Sequence, residues 1–153
     1  MSEIDIHRLL ECASLETVTF LEISAKRAHQ DMHHSEFTSR GEYDVAPEYT
    51  LMLGRHDSED LFSVRLKTEI VTDPGRVFVD AVAEYSLSEI KTSQVSEELL
   101  LEFANNVSIM TLLPYIRHAI ADMSQRVFLN VLTMPIYRRG DITFSPADAA
   151  KSE

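Results

Sequence analysis

The chain of 153 residues has the length of one domain with a sizeable core, since about two thirds of the surface of an unfolded chain of this size is buried on folding. Its formal net charge of −11 argues against nucleic-acid binding, because phosphate recognition needs clustered Lys and Arg side chains. A single cysteine excludes an internal disulfide, and neither a signal peptide nor an apolar run of about 18 residues is evident, so we expect a soluble, cytoplasmic protein without a membrane segment.

The N-terminal third predicts a helix, a strand and a long connection. Apolar residues recur at helical spacing over residues 2–13, with Ser2 as the expected N-cap. Residues 17–28 favour β-structure and carry apolar side chains at both parities, which predicts a strand covered on both faces. The mixed polar stretch 30–48 is typical of a long connection.

Three further strands follow. Residues 49–55 predict the second strand, and alternation of apolar and polar residues over 62–70 and 77–87 predicts a hairpin with one apolar and one solvated face. The sequence Asp-Pro-Gly at 73–75 supplies the turn between these two strands.

Two helices are predicted after the strands. Ser96 is the expected N-cap of the first, whose apolar stripe weakens at residues 105–106 and predicts a break or bend there. Because Pro114 lacks an N–H and is best tolerated in a first turn, the second helix is expected to begin near it and to run to about Val127.

The element order predicts an α+β fold, in which helices pack on one face of a four-stranded antiparallel sheet. We expect a single domain over residues 1–144 and a flexible tail over 145–153. An additional apolar run at 129–137 has no persistent period. Both a core-completing strand and a surface for oligomerisation or ligand binding fit this run.

No catalytic constellation is evident. Four glycines cannot form a phosphate-binding loop. His29, His33 and His34 lack the further ligands of a metal site, the acids at 57–60 are typical of a hydrated turn, and His118 fits packing better than base catalysis. We therefore expect a protein without enzymatic activity, metal or cofactor.

The sequence Leu-Pro-Tyr-Ile-Arg at residues 113–117 resembles the helix-opening motif of the SecB export chaperone family and of its relatives linked to toxin–antitoxin systems. Arg126 near the helix end and the proline-containing apolar run that follows also match, and the resemblance covers most of residues 17–137.

This resemblance implies a homotetramer that holds unfolded polypeptides in apolar grooves without ATP, with a preprotein or an antitoxin as client. The implied subunit interface comprises Pro114, Tyr115, Ile116, Ile120, Met123 and Val127. The implied client groove comprises Phe37, Tyr43, Val45, Leu129, Val131, Leu132, Met134 and Ile136.

The chain departs from the export chaperones at residues 24–28, where the acidic strand end that docks on the SecA motor is missing. Glu22, Asp80 and Glu84 are possible substitutes, although solvated strand charges are the commoner explanation. A rival interpretation is a small-molecule-binding or enzymatic module of the cone-shaped NTF-like type. That fold needs a polar residue inside its pocket, and the inward positions of the hairpin supply only Tyr85.

Overall fold

A computed structural model describes residues 4–29, 46–146 and 149–151. Its first half contains helix α1 (Ile6–Cys12) and strands β1 (Ala13–Arg27), β2 (Glu48–His56), β3 (Leu61–Thr72) and β4 (Gly75–Leu87). Its second half contains helix α2 (Glu97–Phe103), a π-helical turn (Ala104–Ser108), helix α3 (Ile109–Phe128) and strand β5 (Ala149–Lys151).

The strands form one sheet in the order β1-β4-β3-β2-β5. The first four strands pair antiparallel, which confirms the predicted sheet, and the short β5 pairs parallel to β2. The predicted hairpin is also confirmed, since Thr72 pairs with Gly75 across a two-residue turn. Strands β1 and β2 therefore lie on opposite sides of the β3–β4 hairpin.

Helix α3 packs its apolar stripe on one face of this sheet. Its buried residues belong to the same core cluster as the inward-facing residues of β3 and β4, and the helix contacts β4, β1 and β3. Because burial of each large aliphatic side chain stabilises the fold by roughly 1.5–3 kcal/mol, the stripe is a main source of stability. The sheet therefore provides the cover that this stripe requires.

An aromatic cluster joins α2 to the hairpin. The rings of Phe62 and Tyr85 stack with centroids 4.9 Å apart, and Phe103 meets both rings edge-on. Burial raises the pKa of the Tyr85 phenol. The Ser108 hydroxyl donates a hydrogen bond to the Tyr85 oxygen at 3.0 Å, so the one polar group of this cluster is satisfied.

Of the predicted break or bend at residues 105–106, the break is wrong. Residues 97–128 stay helical, and the expected interruption is instead a π-helical turn, in which one residue is added without loss of the helix. Pro114 lies inside α3 rather than at its start. The predicted cap at Ser96 is confirmed, because its hydroxyl accepts a hydrogen bond from the Leu99 N–H at 3.1 Å.

This helical stretch, Glu97–Phe128, is long and apolar enough to cross a membrane by length and composition, which the sequence analysis did not anticipate. Its buried stripe faces the sheet, which is the ordinary setting of a core helix in a globular domain.

Helix α1 begins after Asp5, whose carboxylate accepts a hydrogen bond from the Arg8 N–H at 2.9 Å. The predicted cap, Ser2, lies outside the described residues.

The face of the sheet opposite the helices is less solvated than predicted. Ser63, Asp80 and Val82 on that face are all buried. Asp80 accepts two hydrogen bonds from Arg65, at 2.8 and 2.6 Å, and this pairing explains how a carboxylate is accommodated there. The expectation of a freely solvated Asp80 is therefore wrong.

Candidate functional site

The chain reverses direction after α3 and runs back along it as an extended segment, residues 129–146, which we call the return segment. Leu129 adopts a left-handed conformation with φ 59° and ends the helix. Hydrogen bonds then join Leu132 to Ser124, Pro135 to Arg117 and Phe144 to Asn105. Later residues of the segment thus contact earlier residues of the helix, so the segment lies antiparallel to the helix.

Three side chains of the helical stretch fix the return segment. The Ser124 hydroxyl accepts from Leu132 N–H at 2.8 Å, and Arg117 donates to the Pro135 carbonyl at 2.8 Å. Asn105 in the π-helical turn both donates to the Phe144 carbonyl and accepts from its N–H, each at 2.9 Å. The side-chain amide of Asn105 thus serves both backbone groups of Phe144, as a neighbouring strand would do, and it holds this part of the segment in place.

Sequence reasoning assigned no role to Ser124 or Asn105, although Ser124 carried a signal. It lies on the stripe that otherwise buries apolar residues and is itself fully buried. A buried hydroxyl needs a partner, and Ser124 finds two, because it also donates to the Ala121 carbonyl at 3.1 Å.

The predicted client residues of the return segment divide between two environments. Leu132 and Met134 are 2% exposed and belong to the core. Val131 and Ile136 are 48% and 86% exposed, and Leu129 is half-buried. The segment thus completes the core with one set of side chains and presents another set to solvent. The core-completing interpretation of the 129–137 run holds for Leu132 and Met134, and a binding role for the exposed residues stays a prediction.

The other predicted client residues, Phe37, Tyr43 and Val45, lie outside the described residues. Their assignment to a groove stays a prediction.

The predicted subunit-interface residues of α3 divide in a similar way. Ile116 and Ile120 are fully buried against the sheet of their own chain. Met123 and Val127 are half-buried near the end of the helix, and Pro114 and Tyr115 are exposed. Of the six predicted residues, only Pro114, Tyr115, Met123 and Val127 therefore offer surface to a neighbouring subunit.

The structure reveals a second apolar surface, on β1, that sequence reasoning missed. Leu15, Leu21 and Ile23, which we call the edge patch, are 46%, 53% and 39% exposed. Among the described strands, none pairs with the outer edge of β1. The prediction that β1 is covered on both faces is therefore wrong, and an unpaired apolar edge invites another strand.

The acidic positions considered for motor docking differ in availability. Asp80 is held by Arg65 and buried, whereas Glu22 is exposed and accepts a hydrogen bond from Ser24 at 2.9 Å. Glu84 is half-buried. The hydrogen bond to Asp80 raises the pKa of Arg65, so the guanidinium of this pair stays protonated.

Within residues 4–29, 46–146 and 149–151, no group of three or more His, Cys, Asp or Glu side chains is placed to hold a metal ion. His29 and His118 are exposed, and His33 and His34 are outside these ranges. An open depression of about 310 Å³ lies beside the π-helical turn, between Glu98, Glu102 and Thr143. The depression is open to solvent and has an acidic rim, unlike the enclosed, mostly apolar pockets that bind small molecules.

No protein-family model matches the chain. It is 23% identical over 138 residues to the SecB-like chaperone SmegB of Mycolicibacterium smegmatis, and the match covers 90% of this chain and 84% of that protein. The fold superposes with a TM-score of 0.71 on the Mycobacterium tuberculosis Rv1957 SecB-like chaperone, solved in complex with a ChAD peptide from the Rv1956 HigA1 antitoxin. That superposition covers 87% of this chain and 96% of the other, at 21% identity.

Proposed function

Because the chain is SecB-like in sequence and in fold, we propose that it is a chaperone that holds unfolded or partly folded polypeptides without ATP. The observation that carries this proposal is that the return segment buries some of its apolar side chains, Leu132 and Met134, and exposes others, Val131 and Ile136. Its buried side chains fix it to the core, so its outward apolar side chains are presented on an ordered backbone. A surface of this kind binds without losing much conformational freedom.

Apolar contact suits a chaperone because it is non-directional and tolerates many client sequences. Val131 and Ile136 supply such contact on one side of the fold, and the edge patch supplies it on another. Each surface is small, so binding to any one client is expected to be reversible. The cone-shaped NTF-like alternative has no comparable support.

We further propose that the client is the exposed apolar segment of an antitoxin-like partner rather than a preprotein on its way to SecA. The Rv1957 relative is solved with an antitoxin peptide. In this chain the carboxylate of Asp80 is already neutralised by Arg65, which weakens the case for motor docking through an acidic sheet face. A cytoplasmic location belongs to the same proposal.

Holding activity is the direct test. We expect the protein to suppress the aggregation of dithiothreitol-reduced insulin, followed by light scattering, in the absence of ATP. Suppression should be unchanged when ATP is added, because apolar capture needs no chemical step. If the protein leaves aggregation unaffected at a tenfold molar excess, the chaperone proposal fails.

The edge patch and the outer surface of α3 support assembly into a homotetramer. Leu21→Lys combined with Ile23→Lys should lower the solution mass to that of a smaller species, because charges on an edge strand oppose strand pairing. Val71→Lys is the matched control, since Val71 is an exposed apolar residue on β3, away from this edge. Multi-angle light scattering measures the mass. An unchanged mass for the β1 variant would place the interface elsewhere.

A further inference from the structure

Strand β5 lies on the β2 edge of the sheet. Ala149–Lys151 pairs in parallel with Leu51, Met52 and Leu53, so three of the nine β2 residues gain a partner on this side. No other described strand pairs with this edge of β2. Over the remaining β2 residues none of the described strands pairs with this edge, and an extended segment can bind such main-chain groups by adding a strand.

The contact between β5 and β2 is short compared with the others in the sheet. Strands β1 and β4 pair over thirteen residue pairs, whereas β5 pairs over three. Parallel pairing is also slightly less stable per residue than antiparallel pairing. The gain from so few hydrogen bonds is opposed by the entropy lost on ordering the segment, so β5 is bound in a readily reversible way.

The return segment leads β5 to this edge. Tyr137 packs edge-on against Tyr49 of β2, with ring centroids 6.2 Å apart. The Tyr49 hydroxyl and the Arg117 Nε are buried there. This contact precedes the anchor between Asn105 and Phe144, so β5 can leave the edge without loosening it.

We propose that an extended apolar client segment also binds along the β2 edge as an added strand, and that β5 is an intramolecular competitor that the client displaces from this edge. This inference rests on the proposed chaperone function. The edge accepts an extended backbone in register, as β5 itself demonstrates, and the exposed apolar residues of the return segment lie on the path that leads to it. The apparent affinity for a client is then reduced by the fraction of molecules in which β5 is bound.

Two substitution pairs test this competition in opposite directions. Ala149→Pro with Ala150→Pro removes both N–H groups and should release β5. Ala149→Val with Ala150→Val keeps them and favours strand structure, so it should hold β5 more firmly. The probe is fluorescein-labelled ribonuclease A, reduced and carbamidomethylated so that it stays unfolded. We expect the proline variant to bind it about three- to tenfold more tightly than the unaltered chain, and the valine variant to bind it less tightly.

Hydrogen exchange of the peptide that spans residues 48–56 gives a readout without client. It should be faster in the proline variant and slower in the valine variant. If all three proteins bind the probe equally, or if the proline variant binds more weakly, competition is refuted while the chaperone function stands. If none of them binds the probe or suppresses aggregation, the proposed function fails and the inference falls with it.

Discussion

Gly75→Ala is expected to be the most destabilising single-methyl change in this fold. Gly75 has φ 155°, a conformation that L-residues rarely adopt, and a Cβ there would overlap the Lys26 carbonyl oxygen and lie 2.7 Å from Phe128 Cε1. The backbone strain and the overlap together are worth about 3–5 kcal/mol. Thermal unfolding should show this as a fall in Tm of about 10 °C or more for a chain of this length.

The overlap is severe because three elements meet at this end of the sheet. The N–H of Ala28, just after β1, donates to the Pro74 carbonyl at 2.9 Å, and Arg27 Nε donates to the Val127 carbonyl at 2.7 Å. The hairpin turn is therefore held between β1 and the end of α3, and none of the three can move away alone.

Gly140→Ala is the matched control. Gly140 also has a positive φ, of 95°, but a Cβ there meets no atom within 4 Å. Only the conformational strain remains, worth about 1 kcal/mol. If the two variants unfold within a degree of each other, the close packing around Gly75 contributes nothing and the explanation is wrong.

The hairpin and the apolar stripe of α3 were predictable because each shows one hydrophobic periodicity, that of a strand in the first and that of a helix in the second. Residues 62–70 and 77–87 carry apolar side chains at nearly every second position, and the turn sequence between them admits few conformations. Likewise the spacing of Ile116 and Ile120 placed both on one helical face, and the sheet buries that face. Such patterns depend on local geometry, which the sequence specifies directly.

The misjudged coverage of β1 has a definite physical cause. A register shift between Phe20 and Glu22 inserts Leu21 as an extra residue, so the side chains that face α3 change parity along the strand. Val18 and Phe20 pack on the core before the shift, and Ala25 packs on it after the shift. Apolar residues at both parities therefore came from one face of a bulged strand. A bulge depends on the partner strand, which a single strand's sequence does not specify.

The helix break was mispredicted because a local preference was outweighed by packing. Asn105 and Asn106 disfavour helix, yet Ala104 and Ser108 around them are buried, which holds the stretch helical. The π-helical turn accommodates both effects. It also directs Asn105 to Phe144, 39 residues away, and no local pattern indicates such a contact.

The candidate site was predictable as a segment and not as residues. The run at 129–137 was identified because it carried more apolar residues than a single layer needs. Which of them face outward depends on the hydrogen bonds to Ser124 and Arg117, and these exist only once the helix and the segment lie side by side. Alternation follows from the extended backbone over residues 131–134 and ends there, since Ile136 shares the parity of Leu132 and Met134 but is exposed.

This alternation predicts that neighbouring substitutions in the return segment separate stability from client binding. Leu132→Ala should lower the free energy of unfolding by about 2–5 kcal/mol, because it leaves a cavity at a position that is 2% exposed. Val131→Ser with Ile136→Ser should change it by less than about 1 kcal/mol, because both side chains are largely in solvent. Urea unfolding measures both.

For client binding we expect the opposite: the double serine variant has the larger effect and Leu132→Ala the smaller. The double serine variant should bind unfolded, carbamidomethylated ribonuclease A several-fold more weakly, since it removes the outward apolar contacts while the backbone stays fixed by Ser124. Leu132→Ala, measured where it is still folded, should retain most of the affinity, because Leu132 cannot reach a client from the core. If Leu132→Ala instead abolishes binding while the double variant is unaffected, the segment must turn its buried face outward to hold a client, and the fixed-surface model is wrong.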